Sequence, residues 1–365
     1  MTNRRIPKPK VLYLLPTFNI YGGTPKKTLD LIRLSLVSSH LYVWSSGAQK
    51  HKQLFEEAGA KIYEGYHGRN ILRHLKKLLK IIDDNKIEII QTQFSFGELL
   101  AGITKALRPH VKIVVAFVGS SSPTGLKRIV NNIIYRNVDH FVYVSSFVQR
   151  EKFKSFPALI KSNGTIVHNG TQKRVDNNEN CRELKELSLF DIAGLTELKN
   201  IKVLIKAVYL LVQTYGHDNI RLYIAGDGPE RNILESQISS LELNGYVFLL
   251  GYQSNVGRLL NNCSIFVHPC YAEGFGIAVT EAMMAGKPIV CSNAGALPEL
   301  VVHGESGLLV DPHDASAWAQ AINTLIEDRE FSTKLADNAK GRANQLFSIK
   351  RYVASYEELY KQVIG

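Results

Sequence analysis

Short runs of apolar residues alternate along the chain with stretches that have amphipathic helical periodicity. In the first half the apolar runs cover 10–15, 41–45, 60–63, 87–91, 112–118 and 140–144. In the second half they cover 187–193, 220–225, 246–250, 264–268, 288–292 and 307–310. A run that is apolar at consecutive positions, such as 113–117, indicates a strand buried on both faces. Strands and helices that alternate this regularly predict an α/β fold with parallel sheets and right-handed crossovers.

The alternation breaks once, at the polar stretch 169–186. A chain of 365 residues is long enough for about two domains. We therefore predict two doubly wound, Rossmann-like domains that face a cleft, at 1–168 and 187–346, joined by a linker at 169–186. A last helix within 347–365 is expected to pack back on the first domain. An eight-stranded barrel is the rival architecture, and the polar linker argues against it.

Charge changes sign at the same point of the chain. Residues 1–168 carry 26 Lys and Arg against 10 Asp and Glu, a net charge of +16. Residues 169–365 carry 18 against 23, a net charge of −5. Such asymmetry predicts that the first domain faces a polyanion, either nucleic acid, an anionic membrane or a phosphorylated substrate.

Composition narrows the class of protein. Hydrophobic residues make up 45% and charged residues 21% of the chain, which excludes disordered, collagen-like and coiled-coil proteins. The four cysteines form no CxxC pair, so neither a disulfide framework nor a zinc cluster is indicated, and a reducing cytoplasm is expected. No apolar stretch is long enough to span a membrane, and the first apolar run is too short for a signal peptide.

The most informative segment is 268–310, in which a strand, a loop with glycines and a helix follow one another. Gly274 and Gly276 allow the backbone to approach a ligand closely, and the start of the helix is a ready anion site. Glu273 and Glu281, eight positions apart, supply carboxylates that accept hydrogen bonds from hydroxyl groups. A nucleotide sugar requires both capacities, a phosphate site and a polyol site, side by side.

This segment resembles the retaining glycosyltransferases with the two-domain GT-B fold, and more narrowly glycosyltransferase family 4. Glu273 and Glu281 match the E-x7-E pattern of that family. Further matches are Gly22 and Gly23 after the first strand, Val-His-Asn-Gly at 167–170, Gly-Asp-Gly-Pro at 226–229, Gly-Lys-Pro at 286–288 and Gly-Leu-Leu-Val at 307–310.

The resemblance implies an activity and a role for each matching residue. The protein would be a retaining, metal-independent hexosyltransferase that uses a UDP- or GDP-linked sugar and no further cofactor. Its acceptor would be a lipid-linked or polysaccharide glycan of the cell envelope, such as lipopolysaccharide. Glu273 would orient the donor sugar, and Glu281 would hold the donor ribose. The other implied donor-binding positions are Gly22, Gly23, Gly274, Phe275, Gly276 and Ile277.

The segment 193–200 departs from the family on the donor side. The family usually has Gly-Arg-Leu-x-x-x-Lys-Gly here, and its Arg and Lys clamp the donor diphosphate. Lys199 is retained, and we predict that it is a catalytic residue that stabilises the charge on the departing phosphate. Gly194 replaces the arginine and Asn200 replaces the final glycine.

The acceptor side departs from the family as well. Many members have a histidine where this chain has Val118, and Gln-Thr-Gln at 91–93 replaces the usual histidines after the preceding strand. The eleven histidines show no metal-ligand spacing, and the chain has no Asp-x-Asp motif, so no metal is predicted. His168 and His268 lie at strand ends, where a structural role is expected.

The stretch 69–82 has the pattern of an amphipathic helix with one strongly basic face. This face is either a solvated helix surface or a site that binds an anionic membrane, which would make the protein peripheral on the inner face of the membrane. The predicted apolar stripe consists of Ile71, Leu72, Leu75, Leu78, Leu79 and Ile82. The basic residues are Arg69, Arg73, Lys76, Lys77 and Lys80.

Other functions remain open at this point. The departures at Gly194 and Val118 leave room for a catalytically silent relative that binds nucleotide sugar or partners an active transferase. The basic first half also fits a nucleic-acid binder, but no recognised nucleic-acid motif is present, so no nucleic-acid partner is predicted. A nicotinamide dehydrogenase is the weakest alternative because no GxGxxG follows a strand.

Overall fold

The computed structural model describes residues 8–20, 23–46, 49–173, 187–253 and 256–365. The chain divides into two compact units, one made of Met1–Gly170 with Ile349–Gly365 and the other of Thr171–Ser348. The predicted linker lies outside the described residues from position 174 to position 186.

The first unit is built on a parallel sheet of seven strands. Its strands are β1 (Lys10–Leu15), β2 (Ser38–Val43), β3 (Lys61–Glu64), β4 (Ile89–Thr92), β5 (Lys112–Phe117), β6 (His140–Tyr143) and β7 (Gly164–Ile166). Its helices are α1 (Gly23–Leu34), α2 (Lys52–Glu57), α3 (Ile71–Asn85), α4 (Ser95–Leu107), α5 (Gly125–Tyr135) and α6 (Ser146–Ser155), and the last helix of the chain belongs to it. The strand order is β3-β2-β1-β4-β5-β6-β7.

That last helix packs on the first unit through a row of buried tyrosines. Tyr352, Tyr356 and Tyr360 are each at most 4% exposed and belong to the apolar core that contains the residues of β1. The Tyr360 hydroxyl donates a hydrogen bond to Gln91 Oε1 and lies 3.2 Å from the hydroxyl of Tyr13. Residues near both ends of the chain therefore share one core.

The second unit is a parallel sheet of six strands. Its strands are β8 (Leu187–Ile192), β9 (Ile220–Ala225), β10 (Val247–Gly251), β11 (Ile265–His268), β12 (Ile289–Ser292) and β13 (Leu308–Val310). Its helices are α7 (Ile201–Gln213), α8 (Arg231–Ser240), α9 (Val256–Asn262), α10 (Ile277–Met284), α11 (Leu297–Leu300), α12 (Ala315–Glu327) and α13 (Arg329–Leu346), and α14 (Ile349–Ile364) then returns to the first unit. The strand order is β10-β9-β8-β11-β12-β13.

The prediction of two doubly wound parallel sheets is confirmed, and every predicted apolar run overlaps a strand. The sequence pattern missed β7 and α11. The three residues of β7, Gly-Thr-Ile, include only one apolar side chain, and α11 is four residues long, too short to show a helical period. The predicted apolar stripe of 69–82 is wrong at Leu72, which is 79% exposed at the start of α3. None of the helices in the described ranges is long and apolar enough to cross a membrane.

Each sheet reverses its strand order once, and this fixes where a ligand site is expected. In the first unit the reversal lies between β1 and β4, and in the second unit it lies between β8 and β11. Ligands of open parallel sheets bind at the carboxyl ends of the strands beside such a reversal. A ligand site in the second unit is therefore expected at the loops after β8 and β11.

Candidate functional site

The loops at this reversal bring Lys199 and Glu273 into contact. Lys199 ends a single 3-10 turn after β8, and Glu273 lies in the loop after β11. The Lys199 ammonium group donates a hydrogen bond to Glu273 Oε2, and the two side chains are 23% and 18% exposed. The Tyr271 backbone N–H also donates to the Leu198 carbonyl at 3.0 Å, so the two loops are tied together by backbone as well as by charge.

The charges of this pair support each other. Burial raises the pKa of the Glu273 carboxyl, but hydrogen bonds from His268 and Lys199 and their positive charges outweigh it and hold that pKa well below its usual range. Burial lowers the pKa of the Lys199 ammonium, and the charge of Glu273 more than offsets this, so the pKa is raised. Both groups are ionised at neutral pH, and the site presents a carboxylate next to an ammonium.

A second pair lies behind Glu273. His268 Nε2 is 3.2 Å from Glu273 Oε2, and His268 Nδ1 is 2.8 Å from Asp191 Oδ1. Asp191 and His268 are buried at 0% and 1% exposure. Burial lowers the pKa of His268, but the charge of Asp191 and hydrogen bonds that His268 makes to Asp191, Cys270 and Glu273 raise it well above its usual value.

Sequence reasoning missed this second pair. It gave His268 a structural role and assigned none to Asp191. The available signal was that each is a polar residue within a buried strand, in β8 and β11, where a charged group needs a partner.

The glycine before α10 sets the position at which that helix begins. Gly276 adopts φ +105, and a Cβ there would lie 2.9 Å from Leu297 Cδ2 and 3.6 Å from Glu273 Cγ. Only glycine fits both the backbone angle and the space. The helix begins at Ile277, and the first N–H groups of a helix point outward with positive partial charge. Phe275 is 3% exposed and packs on Phe347 at 5.8 Å between ring centroids, so only its backbone can face a ligand.

Glu281 lies inside α10 and is 4% exposed. The simplest alternative for this residue, a solvated glutamate on a helix surface, therefore does not apply. Its neighbour Thr280 is anchored, because the hydroxyls of Thr280 and Thr171 are 2.8 Å apart.

Gly295 supports Glu273 from the loop after β12, and sequence reasoning missed it. It adopts φ +61, and a Cβ at this position would lie 2.5 Å from the Glu273 nitrogen. The next residue, Ala296, donates its backbone N–H to the Glu273 carbonyl at 2.9 Å. The position of Glu273 therefore depends on a glycine in a different loop.

The departure at Asn200 has a local explanation, whereas nothing in the structure requires glycine at position 194. Asn200 adopts the left-handed conformation with φ 52, which asparagine tolerates better than most residues other than glycine. Its side-chain amide donates to the Pro312 carbonyl at 2.7 Å. A Cβ at Gly194 would meet only the Asp227 carbonyl, at 3.7 Å, so a larger residue has room there. The Gly-Asp-Gly-Pro turn supports this loop, since the Leu195 N–H donates to the Asp227 carbonyl at 3.0 Å.

In the first unit, Gly23 is exposed and begins α1, and Gly22 lies outside the described residues. Gln91 is buried and holds Tyr360 of the last helix, so it serves the core. Val118 is 38% exposed after β5.

A buried lysine supports the loop that follows Val118. Lys152 is 5% exposed, and its ammonium group donates to the Ser121 carbonyl and to Ser122 Oγ. It also lies 5.0 Å from the centre of the Phe117 ring. Burial lowers the pKa of Lys152, while the charge of Glu98 acts in the opposite direction.

The basic residues of the predicted membrane surface lie on or beside α3. Four of them are exposed: Arg69, Arg73, Lys76 and Lys80. Lys77 is half-buried, and its ammonium group donates to the carbonyl of Glu64.

Within the described ranges, one group of His, Cys, Asp and Glu side chains is close enough to share a metal ion. The ligand atoms of His268, Cys270 and Glu273 lie within 4.8 Å of one another. The Lys199 ammonium group already compensates the charge of Glu273, so the arrangement fits a paired carboxylate better than a cation site.

Comparisons with known proteins agree with this geometry. Residues 173–342 match the family model described as glycosyl transferases group 1. The N-acetyl-alpha-D-glucosaminyl L-malate synthase of Bacillus anthracis is 23% identical over 79% of this chain and 78% of its own length. The N,N'-diacetylbacillosaminyl-diphospho-undecaprenol alpha-1,3-N-acetylgalactosaminyltransferase of Campylobacter jejuni is 36% identical over 34% of this chain and 35% of its own length. The solved structure of Anabaena Alr3699/HepE in complex with UDP is 20% identical, covers 97% of this chain and all of its own, and superposes with a TM-score of 0.82.

Two parallel doubly wound sheets and the superposition on this neighbour show that the chain has the GT-B fold. The part of the chain that matches the model of the glycosyl transferases group 1, residues 173–342, includes Lys199, Glu273 and Glu281.

Proposed function

We propose that the protein is a retaining, metal-independent hexosyltransferase that uses a UDP- or GDP-linked donor and serves cell-envelope glycan synthesis. The observation that carries the proposal is the ion pair of Lys199 and Glu273 beside the start of α10, at the strand reversal of the second unit. The Anabaena neighbour was solved with UDP and also with UDP-glucose, which supports a nucleotide-sugar donor.

The donor roles follow from what each group can offer. Glu273 accepts hydrogen bonds from sugar hydroxyls, and both of its protein contacts fall on Oε2. The backbone at Gly274, Gly276 and Ile277 meets the diphosphate, because a helix start favours negative charge. Glu281 binds the two ribose hydroxyls as an acceptor.

The transfer step proceeds by front-side attack. The bond between the anomeric carbon and the phosphate oxygen breaks, and its electron pair leaves with the phosphate. The acceptor hydroxyl forms the new bond on the same face, and its proton passes to the departing phosphate oxygen. Lys199 and the N–H groups at the start of α10 stabilise the charge that develops there. An ammonium group has three donors, so Lys199 can contact the phosphate while it remains near Glu273.

The acceptor is a lipid-linked or polysaccharide glycan, and the protein works at the cytoplasmic face of the membrane. The Campylobacter relative is named for a diphospho-undecaprenol acceptor, which supports a lipid-linked one. Each basic residue exposed on α3 contributes about 1 kcal/mol to the free energy of binding to an anionic membrane surface.

Helix α5 of the first unit presents an exposed apolar stripe that also favours a membrane interface. Leu126, Ile129 and Ile133 are 75%, 59% and 58% exposed, and their spacing places them on one face of the helix. Lys127 and Arg128 lie beside them, and α5 contains no acidic residue. An exposed aliphatic stripe flanked by cations is typical of a helix that lies in a membrane interface.

The test is turnover of UDP- and GDP-linked hexoses with a polyprenyl-diphosphate-linked sugar as acceptor, followed by proton NMR of the anomeric centre. Retention of the donor configuration is expected, and an inverted product would reject the mechanism. Turnover that is unchanged in the presence of EDTA is expected for a metal-independent enzyme.

A second candidate function is a silent relative that binds nucleotide sugar or partners an active transferase. Gly194 and Val118 favour it, since they lack the cation and the histidine that many family members have. Donor binding in calorimetry without turnover of any acceptor would favour this alternative.

A further inference from the structure

Asp191 is a buried carboxylate with an unusual set of partners. Its Oδ1 accepts from the Ile192 backbone N–H at 2.8 Å and lies 2.8 Å from His268 Nδ1. Its Oδ2 has no hydrogen-bond partner in the part of the chain that the structure describes. Burial of an ionised carboxylate is costly unless a charge compensates it, and His268 is the group in position to do so.

The geometry determines the protonation of His268. An ionised carboxylate can only accept hydrogen bonds. Asp191 lies at one ring nitrogen and Glu273 at the other, at 2.8 Å and 3.2 Å. Both ring nitrogens must therefore carry a proton, and His268 is an imidazolium between two carboxylates. The charged groups then alternate in sign from Asp191 through His268 and Glu273 to Lys199.

We infer that Asp191 is a positioning residue for sugar transfer, which acts by keeping His268 doubly protonated so that His268 holds Glu273 ionised and aligned. Asp191 is 0% exposed and does not touch the substrate. The inference rests on the proposed role of Glu273 toward the donor sugar.

The need for this support arises when the donor binds. Without donor, Glu273 has two cationic partners, Lys199 and His268. A donor diphosphate competes for the Lys199 ammonium group, because phosphate oxygens are strong acceptors of charge-assisted hydrogen bonds. The Lys199 ammonium group is then shared between the phosphate and Glu273, so Glu273 depends more on His268, which keeps its charge through Asp191.

Replacing Asp191 by asparagine removes the negative charge of the side chain and keeps its size. The amide oxygen can still accept from His268 Nδ1, but it no longer requires a positive ring. A neutral ring with its proton on Nδ1 presents a lone pair from Nε2 to Glu273, and two acceptors repel each other. The groups that face His268 are then Cys270 and Glu273, with Lys199 beyond Glu273.

The experiment compares kcat and donor KM of the full chain and its Asp191→Asn variant across pH. We expect kcat at neutral pH to fall by about 10- to 100-fold, the usual loss when a supporting partner is removed, with donor KM little changed. The pKa of His268 should move toward its ordinary value of about 6.5. Acidification then restores the imidazolium, so the ratio of variant to wild-type kcat should rise as pH falls.

Nitrogen NMR of the histidine ring reports the same event directly. His268 should have two protonated nitrogens at neutral pH in the wild type and one in Asp191→Asn. Asp314→Asn is the matched control, because Asp314 caps α12 by accepting from the Ala317 N–H at 2.9 Å. Its kcat ratio should stay close to one at every pH.

Two outcomes would overturn the inference. One is a kcat ratio for Asp191→Asn that does not vary with pH, which would indicate a structural role only. The other is equal turnover of His268→Gln and His268→Met, two variants that test the same inference if Asp191→Asn folds poorly. The glutamine amide can donate to Glu273 and methionine cannot, so equal turnover would exclude positioning. Wild-type turnover of Glu273→Gln would instead reject the proposed role of Glu273 itself.

Discussion

Lys199 and Glu273 are 74 positions apart in the sequence and share a hydrogen bond at the end of two adjacent strands. Each of them comes from a different loop, so neither loop forms the site alone. The pair keeps a positive group and a negative group close together without a bound donor, and a diphosphate and a sugar can each take one of them.

Replacing Lys199 by alanine should lower turnover by about 10²–10³, the usual cost of one group that stabilises developing charge. Gly194 carries no charged side chain, so that position offers no second cation to compensate for the loss of Lys199. Single-turnover rates with saturating donor are the measurement. Lys202→Ala is the control, since Lys202 is a half-buried lysine that pairs with Glu230. Wild-type rates in Lys199→Ala would reject the assigned role.

The same loop offers a gain-of-function test. A Cβ at Gly194 meets only one carbonyl oxygen, at 3.7 Å, so Gly194→Arg should fold normally. If the arginine reaches the diphosphate, it should restore part of the turnover lost in Lys199→Ala. No recovery in the double variant would mean that the arginine does not reach the phosphate from this position.

Replacing Glu281 by alanine should raise the dissociation constant of UDP or GDP by tenfold or more. The reason is the loss of a charged hydrogen bond to the ribose, about 1.5–3 kcal/mol. Calorimetry at one temperature is the measurement, with circular dichroism to verify folding because Glu281 is buried. Glu330→Ala on α13 should bind as the wild type does. Unchanged nucleotide affinity in Glu281→Ala would show that Glu281 does not bind the ribose.

Gly295→Ala should displace Glu273, because the new methyl group would lie 2.5 Å from the Glu273 nitrogen. The positive φ of Gly295 adds strain of about 1 kcal/mol or more. We expect a lower midpoint of thermal unfolding and a fall in kcat. Gly304→Ala is the matched control, since Gly304 also has a positive φ (+74) and a Cβ there meets no atom within 4 Å. Equal effects of the two substitutions would contradict the proposed contact.

The second unit should lose part of its stability in acid. The pKa of Glu273 in the folded protein lies below its usual value of 4.5, so the stabilisation is present above that value and is lost as pH falls further. The measurement is urea unfolding in a Trp44→Phe background, in which the buried Trp318 reports on this unit. The difference in midpoint between the protein and its Glu273→Gln variant should be constant down to about pH 5 and then shrink. A difference that grows in acid would contradict the pairing.

Reversing the charge of Arg73, Lys76, Lys77 and Lys80 to glutamate should abolish sedimentation with anionic vesicles at low salt. Each residue contributes about 1 kcal/mol near such a surface, and nucleotide binding should persist because these residues lie in the other unit. If the wild type does not sediment with anionic vesicles, the basic face of α3 is only a solvated surface.

The apolar stripe of α5 has its own test in the same assay. Replacing Leu126, Ile129 and Ile133 by serine should weaken sedimentation even though the charge is unchanged. Ile233→Ser is the control, because Ile233 is 51% exposed in the second unit. Equal sedimentation of both variants would mean that α5 does not enter the interface.

The sequence by itself determined the two doubly wound sheets and the segment that contains Glu273 and Glu281. Both are local properties, because apolar runs specify buried strands and the eight-residue spacing of the glutamates lies within one loop and helix. The pattern failed at Leu72, which lies in the first turn of α3 and is 79% exposed, because periodicity does not show where along a helix the packing begins.

Only the tertiary structure decided which residues meet at the site. Asp191 and His268 are 77 positions apart, and the order of strands in the sheet makes β8 and β11 neighbours. Periodicity along a chain does not encode strand order, so the partners of Glu273 could not be derived from it. For the same reason the partner of Gln91 could not be predicted. Gln91 was expected near the acceptor, but its side chain accepts a hydrogen bond from Tyr360, which lies 269 positions away in the last helix.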